Sequence, residues 1–179
     1  MQKRAFRVLV VVAAVTFALL PSCDTAGNSD SSSDSSSDGT GAGPGISYVA
    51  GGQQYVFTEN LAAGYTPAED ETCVVGSDYP GASAHNAVHI YFPGNAAGTF
   101  SGPPDPDPTT GLPRIGILID STEYYGWQDG KGCWFTIEVT AYGPVGGRIE
   151  GTFSGKLFDT AGDTTIELTD GAFSVRRYN

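Results

Sequence analysis

Positive charge is scarce in this chain. Nine Lys and Arg stand against 20 Asp and Glu in 179 residues, a formal net charge of -11. Such a chain is poorly suited to neutralising a phosphate backbone, so no nucleic-acid partner is expected. Histidine occurs only at His85 and His89. At strand spacing these two lie about 13 Å apart, too far to share one metal ion whose ligand bonds are about 2 Å long. No metal and no cofactor is therefore expected. No apolar run reaches the roughly 18 residues that mark a membrane-spanning helix. No segment of the body sustains a helical period, and 25 Gly with 11 Pro oppose a helical bundle.

What is present begins with a leader. Lys3, Arg4 and Arg7 precede the uncharged, mostly apolar run Val8 to Leu20. A run that short after a basic start suits a secretory signal. It ends in Leu20-Pro21-Ser22-Cys23, which resembles the lipobox of bacterial lipoproteins. The expectation is a signal peptide over 1–22 and lipidation of Cys23. Cleavage would remove three cations and take the formal charge from -11 to -14. An anionic bilayer would repel that chain, so the acyl groups alone would hold it, at about 0.8 kcal/mol per buried methylene.

Residues 24–45 read DTAGNSDSSSDSSSDGTGAGPG, without an aromatic residue or a Val, Ile or Leu. Nothing there can offset the entropy of ordering, so Cys23 with this Ser/Asp/Gly stretch (23–45) is expected to be a disordered linker. Its r.m.s. span would be roughly 25 Å.

The folded domain is expected over 46–179. Period-two alternation is clearest in RIEGTFSGK, where Ile149, Gly151, Phe153 and Gly155 share one face and Arg148, Glu150, Thr152 and Ser154 the other. Cys133 to Ala141 and Arg114 to Asp120 alternate in the same way. Ser47 to Ala50 and Gln53 to Thr58 flank Gly51-Gly52, a hairpin signal. Thr72 to Val75, Asn86 to Phe92 and Gly98 to Ser101 add strands. Thr164 to Leu168 and Ala172 to Arg177 are read as two short strands split by the turn residues Thr169-Asp170-Gly171. Glu59 to Ala63 offers at most one helical turn, and Gly102 to Leu112 an exposed loop. The fold class is all-β, expected as an antiparallel β-sandwich of about 8–10 short strands.

The closing run GRIEGTFSGKLFDTAGDTTIELTDGAFSVRRY, together with TIEVTAY before it, resembles the last strands of small bacterial lipoproteins of unknown function. The likeness covers Cys133 to Tyr178. It implies an exported, lipid-anchored β domain and brings no activity and no site residues.

With Cys23 lipidated, Cys73 and Cys133 remain as an even pair in an oxidising compartment, and a disulfide between them is expected. No catalytic constellation is found. Ser101, Ser121 and Ser154 lie in no nucleophile elbow. His85 and His89 remain open as bases for a small hydrolase, with nothing to position them. Asp105 and Asp107 lie in a Pro-rich loop without the pattern of an EF-hand. Asp120 and Glu123 are acids whose spacing predicts no pairing. The richest segment is Glu123-Tyr-Tyr-Gly-Trp-Gln-Asp129. Tyr124, Tyr125 and Trp127 there could stack on sugar rings, or could cap the core with their polar tips hydrogen-bonded.

The sequence thus points to a non-enzyme. The expected protein is a lipid-anchored β-sandwich module of the bacterial cell envelope, in the outer membrane or at the cell surface rather than the inner membrane. Its partners would be the membrane, through the anchor, and a glycan or an envelope protein. The alternative is a carbohydrate-binding module working through Tyr124, Tyr125 and Trp127.

Overall fold

The computed structural model describes residues 44–80, 84–102, 113–126, 132–159 and 164–179. The leader, Cys23, the linker up to residue 43, Asp105, Asp107, Trp127 and Asp129 lie outside the described residues. Eleven strands follow one another: β1 (Gly45–Ala50), β2 (Gln53–Phe57), β3 (Leu61–Thr66), β4 (Glu71–Ser77), β5 (Ala87–Pro93), β6 (Gly98–Gly102), β7 (Arg114–Ile119), β8 (Thr122–Tyr125), β9 (Trp134–Tyr142), β10 (Arg148–Asp159) and β11 (Thr165–Arg176). Gly51 and Gly52 turn β1 into β2 with φ of 57° and 83°, values that glycine adopts without strain.

All the strand ladders are antiparallel, and they form one sheet in the order β2-β1-β11-β10-β8-β7-β5-β4-β3, with β9 and β6 continuing from β10. The sheet curls into a nearly closed barrel. Two separate sheets are what the sequence leads one to expect, and the corners show why that expectation gives way. β10 and β11 are 12 residues long and outrun their partners. β10 pairs with β9 up to Lys156, and then Phe158 and Asp159 pair with Tyr125 and Tyr124 of β8. Beyond the end of β11, Arg177 bridges Ala63 of β3, and the Tyr178 N–H donates to the Ala63 carbonyl at 2.9 Å. Long twisted strands carry the ladder around both corners.

The interior is apolar. Phe92, Phe135, Phe173, Ile90, Ile115 and Ile137 are essentially fully buried. The outward positions of β9 and β10 carry Thr136, Glu138, Thr152 and Lys156.

Three local expectations are corrected. Leu61–Thr66 is strand β3, not a helical turn: pairing with β4 over six registered positions overrides the Ala-Ala propensity. Thr122–Tyr125, to which strand alternation assigns no element, is strand β8. β11 runs unbroken through Thr169-Asp170-Gly171, which form a bulge instead of a turn. Asp170 takes φ 53° there. The bulge shifts the inward set from Leu168 to Gly171, Phe173 and Val175.

Candidate functional site on the outer face of the barrel

Val74, Ile90 and Ile115 point into the core, so the residues alternating with them in β4, β5 and β7 face outward. Register then assembles rows across the strands. Phe158, Tyr125, Gly116, His89, Val75 and Ala62 are successive partners from β10 through β8, β7, β5 and β4 to β3. Beside them run Gly64, Cys73, Tyr91 and Arg114. On the other flank run Ser77, Ala87, Leu118 and Glu123.

These side chains interact closely. The Arg114 guanidinium donates to both carboxylate oxygens of Glu71, at 2.5 and 2.8 Å. It also lies 3.8 Å from the centroid of the Tyr91 ring, a cation–π contact. Tyr91 stacks on His89 with ring centroids 6.3 Å apart and planes 22° apart. Its hydroxyl is 3.4 Å from His89 Nδ1. The Tyr125 ring lies against Gly116, where a Cβ would meet ring carbons at 3.0 and 3.1 Å. A side chain there would push the ring aside by a few tenths of an ångström.

The crowding shows in the protonation of the groups. His89 keeps an exposed surface, but the groups packed around its ring desolvate the imidazole and pull it below its ordinary pKa, with Glu123 partly opposing, so the ring is neutral at pH 7. Burial pushes the Cys73 thiol up to about 11, although a hydrogen bond with Tyr91 lowers it. Burial, together with the Glu123 charge and its hydrogen bond, pushes Tyr125 up to about 12. Burial and Cys73 also raise Tyr91. The thiol is thus protonated and a weak nucleophile at neutral pH.

The structure divides the aromatic segment singled out in the sequence. Tyr124 pairs with Ile117 and Asp159 and packs against the core, whereas Tyr125 faces out beside Gly116. Neighbouring strand residues point to opposite sides, so the two tyrosines do not form one patch. Trp127 lies outside the described residues. The disulfide is also corrected: Cys73 and Cys133 are not bonded to each other. Cys73 is half-buried on the outer face of β4, while Cys133 is buried just before β9, and those two strands do not pair.

The other candidates scatter. His85 lies in the segment between β4 and β5, where its N–H donates to the Asp78 carboxylate at 3.0 Å. Burial raises Asp78, but hydrogen bonds from Asn86 and His85, with the nearby imidazole, bring it below its ordinary pKa. Ser121 N–H donates to the His85 carbonyl at 3.2 Å, a backbone contact and not a hydroxyl–imidazole pair. Asp120 and Ser121 form the turn between β7 and β8 with φ of 48° and 67°. Ser101 and Ser154 sit on β6 and β10. Among the described residues no three His, Cys, Asp or Glu side chains converge on a metal position.

No family model, curated protein or solved structure matches this chain.

Sequence reasoning missed Glu71, Tyr91 and Arg114. One signal pointed to the last of these: Arg114 is the only Lys or Arg between Arg7 and Lys131. A lone cation at the outward position of an apolar strand needs a partner.

Proposed function

We propose that this protein is a lipid-anchored module of the bacterial cell envelope, held by an acylated Cys23, which works by binding and not by catalysis. Its working surface is the outer face of β4, β5, β7 and β8. The observation that carries this reading is the Glu71–Arg114–Tyr91–His89 network. An ion pair with Glu71 only 7 % exposed is a poor way to gain stability, because desolvation offsets most of the attraction. Its value lies in fixing rings and charges in one arrangement on a surface, which is what a binding face requires. The protonated thiol and the mutually satisfied ion pair offer no activated nucleophile.

The leader, the lipobox-like Leu20-Pro21-Ser22-Cys23 and the likeness to small bacterial lipoproteins support the anchor and its place in the outer membrane or at the cell surface. The carbohydrate reading survives in altered form. Tyr124 packs against the core, and Tyr125 carries the reading with new neighbours.

Intact mass on protein extracted from its native membrane tests the anchor. The expected species begins at Cys23 and carries acyl mass. A chain that retains its leader, or one with an unacylated N-terminus, would overturn it.

A further inference from the structure

We propose that the outer face binds a neutral polysaccharide, lying across the strands along the Tyr125–Gly116–His89 row. This rests on the binding-module reading and names its ligand. Three observations support it.

The first is the shape of the row. Gly116 has no side chain, so the Tyr125 ring settles over β7 instead of standing away from the sheet. Phe158 is buried beside it and backs the row from β10. His89 follows on β5, exposed and held by its stack on Tyr91. With the Tyr125 ring over β7, about one strand spacing, roughly 5 Å, separates it from His89 on β5. The two rings form one short strip against which a sugar can lie through its apolar C–H face.

The second is the polar rim. Tyr91 on β5 and Glu123 on β8 flank the row, and Tyr125 within it carries a hydroxyl. A sugar needs such acceptors and donors beside each aromatic face, where buried hydroxyls would otherwise lose their hydrogen bonds with water.

The third is charge. Arg114 is the only cation that β3 to β8 contain, and it is committed to Glu71 and Tyr91. His89 is neutral at pH 7. With no spare cation on β3 to β8, and Lys156 of β10 the nearest other one among the described residues, a chain of net charge -11 repels polyanions by long-range field. A phosphorylated or uronate-rich ligand is therefore disfavoured, and a neutral glycan is not.

Affinity electrophoresis tests this. Full-length protein in detergent is run through native gels containing hydroxyethyl cellulose, glucomannan, alginate or no polymer. Retardation by a neutral polymer and not by alginate is expected. Tyr125→Ala should weaken it at least tenfold and His89→Ala severalfold, while Tyr125→Phe, which keeps the ring, should retain most of it. Trp134→Ala should leave it unchanged, since Trp134 is 46 % exposed but lies on β9 outside this row. Unfolding midpoints confirm that each variant is folded, and His89→Ala serves if Tyr125→Ala is not.

Retardation by alginate alone, by no polymer, or equally in wild type, Tyr125→Ala and His89→Ala would overturn the proposal. Loss through Trp134→Ala instead would move the site elsewhere and overturn it as well. Co-sedimentation of the same protein with delipidated cell envelopes, in which the acyl anchor finds no bilayer, separates the two levels. Envelope binding without neutral-polymer binding removes the polysaccharide and leaves the module reading; absence of both removes both.

Discussion

Arg114 reaches over β5 to hold Glu71. The two residues sit on β7 and β4, with Tyr91 of the intervening strand beneath the guanidinium at 3.8 Å. Three strands are thus tied on their outer side by one cation, and the rings next to it inherit fixed positions.

Breaking that tie should be costly. Arg114→Met leaves the Glu71 carboxylate buried and unpaired, and should destabilise the protein by about 2–4 kcal/mol, below the upper range because Arg114 is 29 % exposed. The double variant Glu71→Leu/Arg114→Met should recover most of the loss. Urea midpoints read both. A single-variant shift within about 0.5 kcal/mol would show that the pair is a surface contact.

Tyr48 presents the opposite situation. It is 1 % exposed, and its buried hydroxyl has no hydrogen-bond partner among the described residues. Burial, with Tyr55 and Asp78 nearby, raises its pKa, so the group stays neutral. Tyr48→Phe removes an unsatisfied oxygen without changing the ring, and should leave stability unchanged or raise it by about 1 kcal/mol. A loss of that size would mean that the hydroxyl is bonded.

The thiols offer a chemical check. Protein denatured without reductant should alkylate at both Cys73 and Cys133. In the folded protein Cys73 should react slowly near pH 8, with a rate that climbs toward its pKa of about 11. Peptide mapping reads each site. Alkylation that appears only after reduction would restore the disulfide.

His89 makes stability depend on pH. Its folded pKa is lowered by burial, with Glu123 partly opposing. The unfolded chain therefore binds the proton first as pH falls. Stability from the neutral ring is present above the ordinary value of about 6.5 and is lost as pH falls below it. Urea midpoints from about pH 8 to about pH 5 should fall less steeply in His89→Gln than in wild type. Parallel slopes would show that the ring titrates normally.

Much of this architecture is written in strand alternation. Ile149, Phe153 and Leu157 are buried as the period-two pattern demands, and so are Phe135, Ile137 and Val139. Bulges broke the pattern where it failed. β9 skips Thr140 in its pairing, so Tyr142, which shares parity with exposed Trp134, comes to lie opposite buried Ile149. There its hydroxyl meets Thr72 Oγ1 at 2.8 Å. The bulge at Asp170 hid the continuity of β11 in the same way. β3 was masked by small residues with no alternation to read.

The site was less legible for a different reason. Glu71, Tyr91, Arg114 and Tyr125 come from four strands, and only pairing register brings them together. A single sequence does not contain that register. The opposite directions of Tyr124 and Tyr125 were legible, since adjacent residues on a strand cannot share a face.

The central claim is that the outer face of β4, β5, β7 and β8 binds the cell envelope. The most direct test is co-sedimentation of full-length protein in detergent with delipidated envelopes, in which the acyl anchor finds no bilayer, comparing wild type with Tyr125→Ala/His89→Ala. Wild type should pellet with the envelopes, and the double variant, folded by its unfolding midpoint, should remain mostly in the supernatant. Equal pelleting of the two proteins would contradict the account.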